Sequence, residues 1–300
     1  MSFNLYFAGS QAAEVDKYLQ QKNCLRLFSY LNEKKGIDEW KEQLPKNLFI
    51  DSGAFSVAHN NKTVDIDAYI DYINSNPEIN IFVELDKIPY PILNKETAKE
   101  SSEVSWKNYL YMKERVTSPC NLLPLYHFGE SIDHLKRILN TPYKGELPAY
   151  IGIGGRHGVS TKLQELYFQN IFDVVKSSDN PNVKIHVFGM TVLSTLEKFP
   201  FYSADSTTWL QLGVNGNIFS NKYGIINVSE RQKKAKDNIF NFHNDAKNLI
   251  EEEIKLRGYT LEELSTEYKK RLMFNIDSFK EWADNYKYKP ERVGSFKKLF

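Results

Sequence analysis

The chain has 300 residues, 41% of them hydrophobic and 26% charged, a composition that excludes wholesale disorder and allows one large or two small domains. Its 39 Lys and Arg residues against 38 Asp and Glu residues give a net charge of +1, which excludes a strongly basic, histone-like binder but not a local basic patch. The two cysteines, Cys24 and Cys120, are too few for a four-cysteine zinc site.

Eight short apolar runs, rich in β-branched and aromatic residues and bounded by Gly, Pro, Asn or Asp, predict buried strands. In chain order they are Asn4–Ala8, Leu25–Tyr30, Asn47–Gly53, Ile79–Asp86, Asn121–His127, Tyr150–Gly155, Lys184–Met190 and Phe201–Asp205.

Segments of helical character separate these runs. Residues 65–73, 95–116, 131–139 and 162–175 are the clearest, and Ser131 is a candidate N-cap. Repeated strand–helix units predict an α/β fold with a parallel sheet, and eight units are what a closed (β/α)8 TIM barrel requires. An open doubly wound sheet is the alternative that periodicity alone does not exclude.

The character of the chain changes after residue 228. Residues Ser229–Arg257 and Leu261–Tyr286 predict two long polar helices, with Gly258 as a C-cap between them. We therefore expect a barrel domain of residues 1–228 and a C-terminal helical extension of residues 229–300, packed on or beside the barrel. A mild excess of basic residues in the extension fits either a solvated helical face or a weak nucleic-acid contact surface.

The location of the protein can also be predicted. No apolar run approaches the ~20 residues of a membrane span, and the first residues have neither the basic nor the apolar region of a signal peptide. We expect a cytoplasmic protein with reduced thiols and no membrane partner.

The chemistry of a parallel barrel lies at the carboxyl ends of its strands, and three carboxylates fall there. Asp51 lies near the end of the third run, and Asp86 and Asp205 end the fourth and the eighth. Paired carboxylates across a cleft suit glycosyl transfer, because one can attack the anomeric carbon while the other moves a proton. Each aspartate alone is equally typical of a helix N-cap or a turn.

Other residues at the carboxyl ends of the predicted strands each have two interpretations, one structural and one functional. The pair Gly154 and Gly155 makes either a tight turn or a close backbone approach to a flat ligand. His127 either packs or hydrogen-bonds within the fold, or it acts on a ligand. Phe55 and Met190 either belong to the core or sandwich a planar base. No HExxH, P-loop or Rossmann motif is present, so the sequence predicts neither a metal nor a cofactor.

Five short motifs in the right order resemble tRNA-guanine transglycosylases over roughly residues 45–210. Asp51–Ser56 resembles the Asp-Ser-Gly-Gly-aromatic-Gln signature of that family, and Gly152–Gly155 resembles its glycine pair on the sixth strand. His186–Met190 resembles the seventh-strand Met-Gly segment in altered order. Tyr202–Thr208 resembles the stretch that carries the nucleophile, and Glu84–Pro91 is similar to the base-recognition stretch.

The resemblance implies a TIM barrel and an exchange of guanine for guanine or a 7-deazaguanine such as preQ0. Asp205 would be the nucleophile that forms a covalent sugar–enzyme intermediate, and Asp51 would shuttle protons to and from the bases. Asp86 would accept hydrogen bonds from the guanine-like edge. The residues implied to bind the base are Phe55, Ser52, Asp86, His127, Gly154, Gly155 and Met190.

The chain departs from the tRNA enzymes of the family in one decisive place. Those enzymes carry a Cys-x-Cys-x-x-Cys…His zinc site near the C-terminus, whereas both cysteines here lie before residue 150. The chain therefore resembles the relatives in phages and genomic islands that insert 7-deazaguanines into DNA, in which case the compartment is the host cytoplasm. We expect DNA as the partner, with tRNA as the alternative, and a partner protein is conceivable.

Two further readings belong to other classes. One is a catalytically silent subunit that keeps the barrel for binding nucleic acid, although such a subunit should lose a catalytic carboxylate and both Asp51 and Asp205 are present. The other is a nucleoside hydrolase, which would require an N-terminal aspartate cluster for calcium that this sequence lacks.

Overall fold

The structure is a computed structural model that describes residues 3–9, 12–60, 62–89, 94–155, 159–190 and 192–290. The strands within these residues are β1 (Asn4–Ala8), β2 (Leu25–Ser29), β3 (Leu48–Asp51), β4 (Ile81–Val83), β5 (Asn121–Leu123), β6 (Leu125–His127), β7 (Tyr150–Gly154), β8 (Lys184–Phe188), β9 (Ser203–Ser206), β10 (Asn217–Ser220) and β11 (Gly224–Asn227).

The helices in the same residues are α1 (Ala13–Gln21), α2 (Lys34–Lys41), α3 (Ala54–Asn60), α4 (Ile66–Asn74), α5 (Lys95–Arg115), α6 (Ile132–Asn140), α7 (Thr161–Lys176), α8 (Leu193–Lys198), α9 (Thr208–Val214), α10 (Asn244–Leu256), α11 (Leu261–Thr266) and α12 (Tyr268–Asp284). Short 3-10 turns occupy Pro45–Asn47, Glu230–Gln232 and Ile239–Asn241. None of the helices described is long and apolar enough to cross a membrane.

Nine strands form one parallel sheet in the order β5-β4-β3-β2-β1-β9-β8-β7-β6. Its two end strands are halves of one stretch of chain, 121–127, which Pro124 interrupts. The first half pairs with β4 and the second with β7, so the sheet is a nearly closed barrel rather than an open sheet. The predicted (β/α)8 class is confirmed, and each of the eight predicted runs contains a strand.

The break in that stretch depends on two side chains, those of Pro124 and Glu84. Proline has no backbone N–H, so it cannot donate to a sheet ladder. The backbone N–H of Leu125 turns away from the ladder and donates to Oε1 of Glu84 at 2.7 Å. The carbonyl of Pro124 still accepts from the N–H of Gly152 at 3.0 Å, which starts the pairing with β7. Glu84 therefore supplies the acceptor that the interrupted ladder lacks.

Contacts divide the chain into two compact units. One comprises residues 25–205 with 287–300, and it contains β2–β9 as far as Asp205. Its core is apolar and fully buried, because a parallel sheet covered by helices hides both faces. Phe49, Ile151, Ile153 and Val187 each have 0% exposure.

The second unit comprises residues 1–24 with 206–286. Its core includes Ile218, Ile226, Val228, Ile239, Ile250, Ile254, Leu264 and Phe274, from the β10–β11 hairpin, the coil after it and helices α10–α12. Helical structure after residue 243 confirms part of the prediction for this region. Gly258 has φ +80° and closes the turn after α10, as expected for a C-cap.

The first long helix, predicted over Ser229–Arg257, is wrong for residues 229–243. The buried side-chain amide of Asn238 donates to Oδ1 of Asn227 at 2.8 Å and to the carbonyl of Ser229 at 2.9 Å. These bonds hold the segment as turns, because an asparagine that bonds to nearby groups competes with helical hydrogen bonding.

The second long helix, predicted over Leu261–Tyr286, is divided into α11 and α12. The buried guanidinium of Arg271 donates from Nη1 to the carbonyl of Leu264 at 2.8 Å, and from Nε to the carbonyl of Gly213 at 2.8 Å. Arg271 thus satisfies a carbonyl at the end of α11, so the helix can break there at low cost.

Candidate active site

The predicted site residues come together at the carboxyl ends of the strands in the larger unit. Asp51 is the last residue of β3, Asp86 follows β4, and Asp205 lies in β9. The charges of Asp86 and Asp205 both act on the carboxyl of Asp51, so the three carboxylates share one electrostatic environment. The expected convergence of carboxylates is therefore present.

The pKa of the Asp51 carboxyl is raised toward neutral pH. Burial raises its pKa from 3.8 to about 7, the charges of Asp86 and Asp205 add to this rise, and a hydrogen bond from the N–H of Gly53 opposes it. That N–H donates to Oδ2 of Asp51 at 3.0 Å. Gly53 has φ +93°, and a Cβ there would lie 2.5 Å from Cβ of Leu31, so this turn requires glycine.

Asp86 is buried and held on both oxygens. Ser52 donates from Oγ to Oδ1 at 3.1 Å, and Nε2 of His127 donates to Oδ2 at 2.8 Å. Burial by itself lowers the pKa of His127, but the hydrogen bond and the charge of Asp86, together with the charges of Glu130 and Asp51, raise it above 6.5 overall. The charged imidazolium is therefore favoured beside Asp86.

Gly154 makes room for His127. The two residues are register partners in the β6–β7 pair, and a Cβ on Gly154 would lie 2.5 Å from Nδ1 of His127. Gly155 has a similar constraint, since a Cβ there would lie 2.9 Å from the backbone oxygen of Phe188. Missing side chains in this pair serve close packing within the site, whatever ligand it holds.

Asp205 is held from its Oδ1 side. The backbone N–H of Gly189 donates to Oδ1 at 2.8 Å, and Nε2 of His186 lies 3.3 Å from the same atom. Among the residues described, Oδ2 of Asp205 has no hydrogen-bond partner. One oxygen is thus fixed by two donors while the other is left for a ligand.

Sequence reasoning gave no role to the buried polar residues behind Asp205. Nδ1 of His186 lies 2.5 Å from Oγ of Ser203, which also contacts the hydroxyl of Tyr150. His186 and Ser203 have 0% exposure, and burial lowers the pKa of His186. The signal available in the sequence was strand periodicity, because Ser203 and Asp205 are two positions apart and therefore lie on the same face of β9.

Glu130 and His134 were also missed, and they lie behind His127. Oε2 of Glu130 accepts from the N–H of His127 at 2.8 Å, and burial raises the pKa of Glu130 to about 7. Burial lowers the pKa of His134 to about 4, and its Nδ1 accepts from Arg137 at 3.1 Å. This cluster supports the backbone at the end of β6.

Phe55 and Met190 have opposite exposures. Phe55 is 60% exposed at the start of α3 and stacks on His59 with ring centroids 4.0 Å apart. Met190 is 2% exposed. That these two residues sandwich a base stays a prediction.

Several motif residues lie outside the described part of the chain. They are Tyr90 and Pro91 of the base-recognition stretch, Arg156, His157 and Gly158 after the glycine pair, and Thr191 after Met190. Among the residues that the structure describes, no cluster of His, Cys, Asp or Glu is arranged to hold a metal ion.

Comparisons with protein-family models and with curated proteins identify no relative. No protein-family model matches the chain, and none of the curated proteins matches it either. The case for a function therefore depends on the residues of the site.

Proposed function

We propose that this protein is a DNA-guanine transglycosylase, an enzyme that exchanges guanine in DNA for a 7-deazaguanine base. The observation that carries the proposal is the pairing of Asp205, held on one oxygen by two donors, with Asp51, whose pKa is raised to about 7. A fixed nucleophile and a carboxyl that can both give and take a proton are what base exchange needs.

In the first half-reaction, Oδ2 of Asp205 attacks C1′ of the guanosine and the bond from C1′ to N9 breaks. The electron pair of that bond leaves with guanine, and Asp51 supplies the proton that neutralises the departing base. A carboxylate nucleophile suits the oxocarbenium-like transition state of glycosyl transfer. The product is a sugar joined to Asp205 by an ester bond.

In the second half-reaction, the incoming 7-deazaguanine loses its N9 proton to Asp51 and attacks C1′. The bond from C1′ to Asp205 breaks, and the carboxylate of Asp205 is restored. A group with a pKa near the working pH can serve both as acid and as base, which supports Asp51 as the proton shuttle in both directions.

Recognition of the base is assigned to Asp86, His127 and Ser52. Asp86 accepts from Ser52 and His127, and a carboxylate oxygen has a second lone pair for a donor of the base. A site built to pair the N1–H and amino group of guanine rejects adenine, which would leave Asp86 facing an acceptor. A base in a duplex must also be flipped out, at a cost of a few kcal/mol.

The choice of DNA over tRNA depends on the cysteines. The tRNA enzymes that the chain resembles use a zinc element to dock tRNA, and Cys24 and Cys120 cannot build one. The first alternative function is exchange of the base in tRNA. The second is a catalytically silent subunit that binds nucleic acid.

The deciding experiment measures entry of radiolabelled guanine, and separately of preQ0, into duplex DNA and into tRNA. Asp205→Asn is the matched control, because it keeps the size and an acceptor for Gly189 but removes the nucleophilic charge. Label in DNA that depends on Asp205 supports the proposal. Label in tRNA alone would overturn the choice of nucleic acid, and no label in either would overturn the assignment of an enzyme.

A further inference from the structure

The nucleophile proposed above lies at the end of a chain of buried polar side chains. It runs from Tyr150 through Ser203 and His186 to Asp205, with contacts of 2.5 Å between His186 and Ser203 and 3.3 Å between His186 and Asp205. Three of these residues lie on the adjacent strands β8 and β9, where His186 and Ser203 are register partners. Polar groups buried this deeply are costly unless they are hydrogen-bonded, and the contacts along this chain supply the partners.

Hydrogen-bond directions along the chain follow from its two ends. A carboxylate only accepts, so Nε2 of His186 carries the proton and donates to Asp205. Burial lowers the pKa of His186, so the ring is neutral and its Nδ1 must be an acceptor. Ser203 therefore donates to Nδ1, and Tyr150 in turn donates to Oγ of Ser203.

The imidazole is also fixed in orientation. Its ring packs against both Phe49 and Phe188, with ring centroids 4.4 Å from each. The ring can neither rotate freely nor exchange its two nitrogens without breaking the bond to Ser203. Its donor is thus aimed permanently at Oδ1 of Asp205.

From this geometry we propose that His186, whose Nε2–H tautomer is selected by the acceptor Asp205 and whose ring is oriented by Ser203, is the positioning residue for the nucleophile Asp205. The inference deepens the proposed function and depends on it. Together with the N–H of Gly189, His186 holds Oδ1 so that Oδ2 faces the sugar. The same two donors stabilise the carboxylate when the ester breaks in the second half-reaction, since donors aimed at developing charge lower the barrier.

A variant pair separates positioning from packing. His186→Phe keeps a flat ring but removes the donor, and we expect covalent trapping of DNA to slow by about 100-fold with DNA binding unchanged. His186→Gln restores an amide donor near the position of Nε2 and should recover most of the rate. Trapping by His186→Phe at the wild-type rate, or no recovery in His186→Gln when both are folded, would overturn the proposal.

The tautomer provides a readout independent of catalysis. Nitrogen-15 NMR of the imidazole should show a neutral Nε2–H ring at His186 at about pH 8. Asp205→Ala removes the acceptor that selects this tautomer and should produce a mixture of tautomers, whereas Ser203→Ala keeps Asp205 and should not. A charged or Nδ1–H ring in the wild type would overturn the proposal.

These measurements also distinguish the positioning role of His186 from the proposed function on which it depends. Wild-type protein that traps DNA but shows the wrong tautomer overturns only the role of His186. Wild-type protein that traps no nucleic acid overturns the proposed function and, with it, this role, even if the tautomer is as expected.

Discussion

His127 donates from Nε2 to Oδ2 of Asp86 at 2.8 Å, although 41 positions separate the two residues in the chain. The bond joins the carboxylate assigned to base recognition to an imidazole at the end of the neighbouring barrel strand. It raises the pKa of His127 and leaves Asp86 ready to accept from a base while already oriented. Several expected outcomes depend on this arrangement and on the carboxylates around it.

Asp86→Ala should weaken discrimination between guanine and adenine more than it weakens folding. It removes the acceptor for the base and also the partner that raises the pKa of His127, so that pKa should fall. Competition between bases in the exchange assay and an NMR titration of His127 check the two effects. Ser52→Ala is the comparison variant, because it removes the donor to Oδ1 and the acceptor of the Ala54 N–H but leaves the carboxylate of Asp86 in place. An Asp86→Ala protein that unfolds but keeps its base selectivity would make Asp86 structural.

Asp205→Asn should abolish covalent trapping of nucleic acid with the fold intact. The amide oxygen can still accept from the N–H of Gly189, but an amide is not a nucleophile toward C1′. Trapping is read as a slowly migrating band on a denaturing gel, and folding by circular dichroism. A band that persists in the folded variant would remove Asp205 from this role.

Asp51→Asn should remove activity while making the protein more stable at pH 8. The pKa of Asp51 is raised from 3.8 to about 7, so between these values the folded state holds a proton that the unfolded state has lost. Stability contributed by this group is therefore full below about pH 4 and lost as pH rises to about 7. Above that range the buried charge destabilises the fold, and its removal should raise the free energy of unfolding by about 1–2 kcal/mol.

The internal control for this prediction is pH. At pH 5 Asp51 is neutral in the folded protein, so urea unfolding should separate wild type and Asp51→Asn by much less than at pH 8. An equal difference at both values would contradict a raised pKa.

Gly154→Ala should disturb His127. The new Cβ would lie 2.5 Å from Nδ1, so the imidazole must move away from Asp86, and overpacking of this kind costs about 1–3 kcal/mol. The free energy of unfolding measures the cost. In a His127→Ala background the same change should cost far less, because the space is empty. Equal costs in the two backgrounds would show that His127 is not the obstacle.

Glu84 should tolerate glutamine but not alanine. Burial raises its pKa well above 4.5, so the side chain is neutral, and Oε1 accepts the N–H of Leu125 that the break at Pro124 leaves without a ladder partner. Glu84→Gln keeps that acceptor and should change the free energy of unfolding by less than about 1 kcal/mol. Glu84→Ala leaves a buried N–H unsatisfied and should cost about 2–4 kcal/mol. Similar losses in both variants would mean that the charge of Glu84 matters.

Local patterns were sufficient for the elements that carry the barrel. Apolar runs bounded by turn residues located all eight strand regions, and Ser131 caps α6 as its sequence context indicates, accepting from the N–H of Asp133 at 3.3 Å. The same patterns failed over residues 229–243. Helical periodicity there was overridden by Asn238, whose side-chain amide bonds to Asn227 and to the carbonyl of Ser229, 11 and 9 positions earlier in the chain.

The sequence by itself determined the α/β class with a parallel sheet and the edge of that sheet at which Asp51, Asp86 and Asp205 lie, because strand periodicity is a local property. Only the tertiary structure decided between a barrel and an open sheet, through the pairing of residues 121–127 with both β4 and β7. Only the tertiary structure decided how these carboxylates are held. The hydrogen bond between His186 and Ser203 spans 17 positions, and the one between Asp86 and His127 spans 41. Burial also raises the pKa of Asp51 to about 7. Packing across strands determines which side chains become hydrogen-bond partners, and burial away from water shifts their pKa values. Neither the partners nor the pKa values can therefore be predicted from adjacent residues in the sequence.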